Sequence, residues 1–329
     1  MATAKQELSE REQALLIKKG LKHRSVERQP ARWLETEWPL LHSVVGDPVR
    51  GIPYGKIIEI SGPPGAAKTG LALQISAAAK VDGAKNGWCD FEFAWDDEWS
   101  AAHGLDPEQV ARFFPDVVSG GSGRKKKKTG KRGAPAEDED EQEFDIGKRH
   151  LLSAEEVLKE AETWVESKLS TDPSCKICLV IDSLPAMLPE ASIDRDLDEG
   201  QPQGGFANFL TRMLQKWVPL CFTHNVLLIL INHTRTKPGV SFGDPTYEPG
   251  GSALHHYSSI KIRMRRAGPS VCKIMSKGRQ IGIRGFITNK KNKIGGLEET
   301  RIGFKFYRNK PMKFTTYEEM RTETSGGRE

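Results

Sequence analysis

Residues 61–69 read Ser-Gly-Pro-Pro-Gly-Ala-Ala-Lys-Thr, directly after the apolar run Ile57-Ile58-Glu59-Ile60. An apolar run that feeds a tight loop of small residues, followed by a helix-competent stretch from Gly70 to Ala79, confines this segment to a strand–loop–helix unit. Small residues let successive backbone N–H groups converge on a phosphate, and the start of a helix adds its positive end. One residue departs from the G-x-x-x-x-G-K-[ST] phosphate loop, because Ala67 stands where a second glycine is expected. An alanine there costs little in a right-handed or bridge conformation and more at positive φ. Within the pattern Gly62, Pro63, Pro64, Gly65, Ala66, Ala67 and Gly70 supply the cradle. Lys68 would reach the β- and γ-phosphates, and the Thr69 hydroxyl would take a Mg2+ position. The plain alternative is a β–α turn carrying a chance lysine.

The 329 residues suffice for one large α/β domain or two smaller ones. A hydrophobic fraction of 37% is low for a compact fold, which points to a globular core with solvated segments. No apolar run reaches membrane-spanning length, and the first residues hold no apolar signal region, so a cytoplasmic protein is expected, or one in a host cytoplasm if the source is viral. The five cysteines are odd in number and scattered, which fits a reducing compartment. Cys175-Lys-Ile-Cys178 has C-x-x-C spacing but leads into a strand and has no second pair, so buried free thiols are expected.

Composition divides the chain. Residues 1–32 form an arm, helix-prone over 3–20 and then basic and Pro-interrupted, which can pack on a neighbour or fray. Residues 33–118 alternate as α/β, with strands at Ile57–Ile60 and Trp88–Phe93 and helices at Leu71–Ala79 and Pro107–Phe114. Residues 119–147 open on Ser-Gly-Gly-Ser-Gly and carry seven basic residues from Arg124 to Arg132, then seven acidic ones from Glu137 to Asp145. With almost nothing apolar to bury, this block is expected to be a disordered surface insertion. From 148 to 318 order resumes. Ser153-Ala-Glu-Glu156 is a capping-box pattern before a helical period, Ile177–Ile181 and Val226–Ile231 are buried strands, and Phe206–Val218 is a helix stopped by Pro219. Residues 319–329 form a tail. Strict alternation at Ile260–Arg265 and Ile302–Phe306 predicts half-exposed antiparallel strands. The fold class is therefore α/β, a mostly parallel sheet flanked by helices with antiparallel strands toward the C-terminus. Between Ile260 and Lys313 stand 16 lysines and arginines against two acidic residues, a bias that attracts polyanions.

Carboxylates stand where phosphate chemistry needs them. Leu179-Val-Ile-Asp182-Ser183 ends an apolar strand in a group suited to hold Mg2+ through water, and Asp90-Phe-Glu92-Phe-Ala-Trp-Asp96 follows the second strand, with Glu92 able to activate a water. Residues 234–252 combine Gly239, Gly243, Gly250 and Gly251 with Arg235, Lys237 and Phe242, a mixture of flexible backbone, cations and an apolar wedge that suits single-stranded nucleic acid. A long solvated loop is the bland alternative. The segment Glu190–Gly205 is acidic, with Arg195 its one basic residue.

The order of these motifs resembles the RecA family of recombination ATPases over roughly residues 33–318, the insertion excepted. The resemblance implies a RecA-like P-loop ATPase core with ATP and Mg2+ as cofactors. It puts the catalytic glutamate on Glu92 and the metal-side carboxylate on Asp182, and it brings Asp96 into the nucleotide site. Trp99 falls where the family stacks an aromatic on adenine. Ile231-Asn232-His233 matches the sensor strand, with His233 in place of the usual Gln, and a histidine makes that step depend on pH. Residues 237–254 resemble the second DNA-binding loop, and Arg195 falls in the first. Lys291 and Lys293 resemble the lysine pair that reaches ATP across a subunit interface. The smaller C-terminal domain of bacterial members is not expected. The implied partners are single- and double-stranded DNA and further copies of the chain in a helical filament, with no membrane. Two other functions fit the same residues: a recombination mediator that binds ATP and barely hydrolyses it, and a ring-forming helicase-like motor.

Overall fold

The computed structural model describes residues 32–119, 149–193, 204–236, 239 and 246–325. The expected N-terminal helix, nearly all of the charged insertion, and Arg195, Lys237, Phe242 and Gly243 lie outside the described residues.

Ten strands form one sheet: β1 (Ile57–Gly62), β2 (Lys85–Asp90), β3 (Val110–Phe113), β4 (Ile177–Asp182), β5 (Val226–His233), β6 (Ile260–Arg266), β7 (Lys273–Ser276), β8 (Arg279–Asn292), β9 (Arg301–Tyr307) and β10 (Lys310–Thr316). Their order is β10-β9-β8-β6-β1-β5-β4-β2-β3, with β7 paired to β8. From β6 to β3 every pairing is parallel, and from β6 to β10 every pairing is antiparallel. The expected α/β class, with antiparallel strands toward the C-terminus, is the one observed, but β6, expected to be half-exposed and antiparallel, is largely buried and pairs parallel with β1 on one side, because it is an interior strand of the sheet.

The central strands are buried on both faces, which is why they read as unbroken apolar runs. Their side chains alternate between two cores. Ile58, Ile60, Ile229 and Ile231 pack with Leu71 and Ile75 of α2 (Lys68–Val81) and with Leu41 and Val44 of α1 (Pro39–Val45). Ile57, Leu179, Leu228 and Leu230 face the other way. They meet Val157, Ala161 and Val165 of α4 (Ala154–Thr171) and Leu214 and Trp217 of α5 (Gly205–His224). Each leucine, isoleucine and valine among them contributes about 1.5–3 kcal/mol of burial. The centre of the sheet is thus sealed on both sides, and its strand ends are where chemistry can meet solvent.

Local signals set several boundaries. The Ser153/Glu156 capping box forms at the start of α4. The second strand stops at Asp90 rather than Phe93, because the Asp90 carboxylate accepts from the N–H groups of Ala94 and Trp95 and turns the chain. The helix expected at Pro107–Phe114 is a 3-10 turn at Pro107–Gln109 followed by β3, whose pairing with Asn86–Cys89 overrides the local signal. Pro219 does not stop its helix. The helix runs on to His224, held by buried Trp217 and Cys221, and ends at Asn225 with φ 54°. All five cysteines are free and buried. Among the described residues no helix is long and apolar enough to cross a membrane.

Candidate nucleotide site and the loop beside it

Parallel register builds the site. Gly62 on β1 stands level with His233 on β5, and Asp90 on β2 stands level with Asp182 on β4. Four strand ends therefore deliver their last residues to one edge of the sheet.

The loop from Gly62 to Ala67 joins β1 to α2. Ala67 caps α2 with φ 64° and ψ 30°, the left-handed conformation in which a Cβ is costly. The residue that departs from the glycine pattern is therefore strained. Gly70, in the first turn of α2, has a different reason: a Cβ there would stand 2.4 Å from the Phe306 ring. The helix start and β9 can touch only because that side chain is absent.

Lys68 is buried, and its ammonium donates to the Pro63 carbonyl at 3.1 Å and lies 3.5 Å from Nδ1 of His233. Burial pushes its pKa down to about 8, against the pull of Asp182 and Glu92. Thr69 Oγ1 donates to Asp182 at 2.9 Å. Asp182 is 2% exposed, and burial raises its carboxyl to about 7 despite that hydrogen bond. Glu92 accepts from Ser183 Oγ and lies 2.8 Å from His233 Nε2. Burial works to raise the Glu92 pKa, but the Ser183 and His233 hydrogen bonds and the His233 and Lys68 charges outweigh it and hold the carboxyl below its ordinary range.

These groups open into a cleft of about 820 Å3, lined by the phosphate-loop residues 64–70, Glu92, Asp96, Trp99 and His233. Asp96 also caps α3 (Asp97–Ala102), accepting from Trp99 N at 2.7 Å. The far wall was not read from sequence. It consists of Gln280, Ile281, Gly282 and Ile283 from β8, with Phe306 and Arg308. Phe306 meets Trp99 edge-on at 6.1 Å and stacks on His103. The alternation at Ile302–Phe306 marked a strand, but nothing local told which cleft that strand would wall.

Beyond His233 the chain enters the glycine-rich loop. Arg235–Thr236 pairs antiparallel with Thr246–Tyr247. Gly239, Gly250 and Gly251 all have positive φ, and Gly250 leads into α6 (Gly251–Tyr257). Lys291 and Lys293 line no part of the cleft of their own chain. Lys291 donates to the His255 carbonyl, Lys293 donates to that of His256 at 3.1 Å, and burial lowers the Lys291 pKa to about 8. Part of the basic excess beyond residue 260 is internally paired: Lys261 and Arg263 with Glu248, Lys290 and Arg301 with Glu299, and Arg284 and Lys305 with Glu323.

Comparison with known proteins gives this geometry a lineage. The family model of the RecA N-terminal domain matches residues 40–121 and 153–304. Protein RecA of Bartonella bacilliformis is 30% identical over 236 residues, 72% of this chain and 56% of that protein. Protein RecA of Acholeplasma laidlawii is 31% identical over 246 residues, 75% of this chain and 60% of that protein. Protein RecA of Sinorhizobium fredii is 30% identical over 220 residues, 67% of this chain and 49% of that protein. The matched segment thus spans about half the length of these relatives. With its model covering most of the chain and its motifs meeting at one sheet edge, the chain belongs to the RecA family.

Proposed function

We propose that this chain is an ATP-dependent DNA recombinase. It assembles as a helical filament on single-stranded DNA, pairs that strand with homologous double-stranded DNA and promotes strand exchange, hydrolysing ATP to ADP and phosphate. One juxtaposition carries this reading. The groups suited to a triphosphate stand at one edge of the sheet, and the strand that brings His233 to them runs straight into the loop bearing Arg235 and Lys237. Membership of the RecA family supports it.

Each group then has a task. Backbone N–H groups of the loop and the Lys68 ammonium face the phosphates. Thr69 and Asp182 suit Mg2+, since a buried carboxylate with a raised pKa gains from a cation at its side. Bound there, Mg2+ offsets the charge that develops on the phosphates. Glu92 orients and deprotonates the attacking water once a hydrogen bond to Ser183 or His233 is released. Asp96, Trp99 and Phe306 hold the base. Lys291 and Lys293 reach the ATP of a neighbouring copy. Arg195, Arg235 and Lys237 meet DNA phosphates, Phe242 wedges among bases, and Gly239, Gly243, Gly250 and Gly251 let the backbone follow the strand.

The test is ATP hydrolysis by the purified chain with and without single-stranded DNA, alongside joint-molecule formation. DNA should stimulate turnover, and Glu92→Gln should lower it by about a hundredfold or more. Tight single-strand binding without joint molecules overturns the strand-exchange reading. A second reading, an ATP-binding mediator with little turnover, is favoured by the strained Ala67 and by Glu92 tied to two partners. Equal turnover by wild type and Glu92→Gln would select it.

A further inference from the structure

The two legs of the glycine-rich loop are held very differently. They meet in the short ladder of Arg235–Thr236 against Thr246–Tyr247. The N-terminal leg continues from His233, and its Arg235 and Thr236 are exposed. The C-terminal leg continues into Glu248 and Pro249, and both are fastened to the sheet. One Glu248 oxygen accepts Ser61 Oγ at 3.0 Å, Arg263 Nε at 3.2 Å and Arg263 Nη2 at 2.7 Å. The other faces Lys261 Nζ at 3.4 Å. Ser61 is the residue immediately before Gly62.

The fastening extends inward. Lys261 also pairs at 3.1 Å with Glu59, a carboxylate of β1 with no solvent exposure. Asn232 closes the circuit: its amide donates to Glu59 at 3.0 Å and to the Pro249 carbonyl at 2.9 Å, and its oxygen accepts from His233 N at 2.9 Å. Arg263 additionally reaches Thr246 Oγ1 at 3.2 Å, gripping the ladder itself. Charge-assisted bonds of this kind are directional, so they fix a position as well as hold a surface. Losing Glu248 would take a carboxylate from both Lys261 and Arg263, which unsettles the cluster.

We propose that Glu248 is a positioning residue for this loop: it pins the C-terminal leg to the strand that carries the phosphate loop, so that a nucleotide-driven shift of His233 moves one leg against the other. A loop with both legs loose would follow His233 without changing shape, and the nucleotide state would not reach it. Coupling needs a difference between two states, and one fixed leg supplies it. This rests on the recombinase reading above.

The test uses the full chain as wild type, Glu248→Gln and Arg263→Lys. Glu248→Gln keeps the size while removing the charge and turning one acceptor oxygen into a donor, and Arg263→Lys keeps the charge while losing the two-pronged grip. Each is titrated with a fluorescein-labelled oligo-dT in the presence of Mg2+ with ATP, and again with ADP. Wild type should bind about tenfold or more tightly with ATP than with ADP. In both variants that ratio should fall to about two or less, while ATP affinity and DNA-independent hydrolysis stay within about twofold of wild type. A wild-type ratio that survives in both variants overturns the proposal alone. So does a fall in ATP affinity that tracks the ratio, because Glu248 would then serve the phosphate loop itself. A wild-type ratio near one overturns the recombinase reading and this proposal with it.

Discussion

Among the described residues five other than glycine have positive φ, and Ala67 is the one in the phosphate loop. A Cβ in the left-handed region costs about 1–2 kcal/mol, less about 0.4–1 kcal/mol for the freedom that glycine loses on folding. Ala67→Gly should therefore stabilise the chain by about 0.5–1 kcal/mol, read as a higher denaturant midpoint, and an unchanged midpoint would remove strain from the account. The titrating pair gives a second prediction. Lys68 sits at about 8, below its ordinary 10.5, so folding gains stability as pH rises from about 8 to 10.5. Asp182 sits at about 7, above its ordinary 3.8, so stability present below pH 3.8 is lost as pH rises toward 7. A bound triphosphate favours charged Lys68, and Mg2+ favours ionised Asp182. Mg-ATP binding should thus take up a proton just above pH 8 and release one just below pH 7, measured by calorimetry in buffers of different ionisation enthalpy. The same sign at both pH values would contradict these assignments. Lys68, Thr69 and Asp182 were legible because their chemistry is local to a strand end. The contact of His233 with Glu92 was not, since 141 residues separate them and only parallel pairing brings them together.

At the scale of elements, legibility followed burial. Strands β1, β4 and β5 are covered on both faces, so their sequences are apolar runs broken only by Glu59 and by the polar residues at their C-terminal ends. Strand β3 lies at the sheet edge and is only partly buried, so Pro107-Glu-Gln109 read as a helix start and the pairing that decides the matter was invisible. Pro219 misled for a related reason: its local penalty was legible, and the tertiary grip on Trp217 and Cys221 was not. Strand β9 matters most for the site, because its Phe306 closes the cleft against Trp99. Aromatic stacking on a base is worth about 1–3 kcal/mol, so Phe306→Ala should weaken ATP binding about tenfold or more. An unchanged dissociation constant, measured by equilibrium titration, would place the base elsewhere.

At the scale of the whole molecule, the cleft faces outward and lacks any lysine from β8 of its own chain. The pair Lys291 and Lys293 instead holds carbonyls at the end of α6. If a second copy supplies them, the Lys291→Ala/Lys293→Ala double variant should lose ATP-dependent assembly, followed by light scattering, while a dilute chain still binds nucleotide within about twofold of wild type; assembly at the parental level would reject the seam.

The continuity of the ten strands has an engineering consequence. Phe306, the anchor of the loop and the phosphate-loop strand all hang on hydrogen-bonded neighbours in one ladder, so on the proposed reading the two sites share a single scaffold. Chimaeras cut after β6 would forfeit the wall of the cleft that β8 and Phe306 form, and transplanting the loop alone would leave its strut behind.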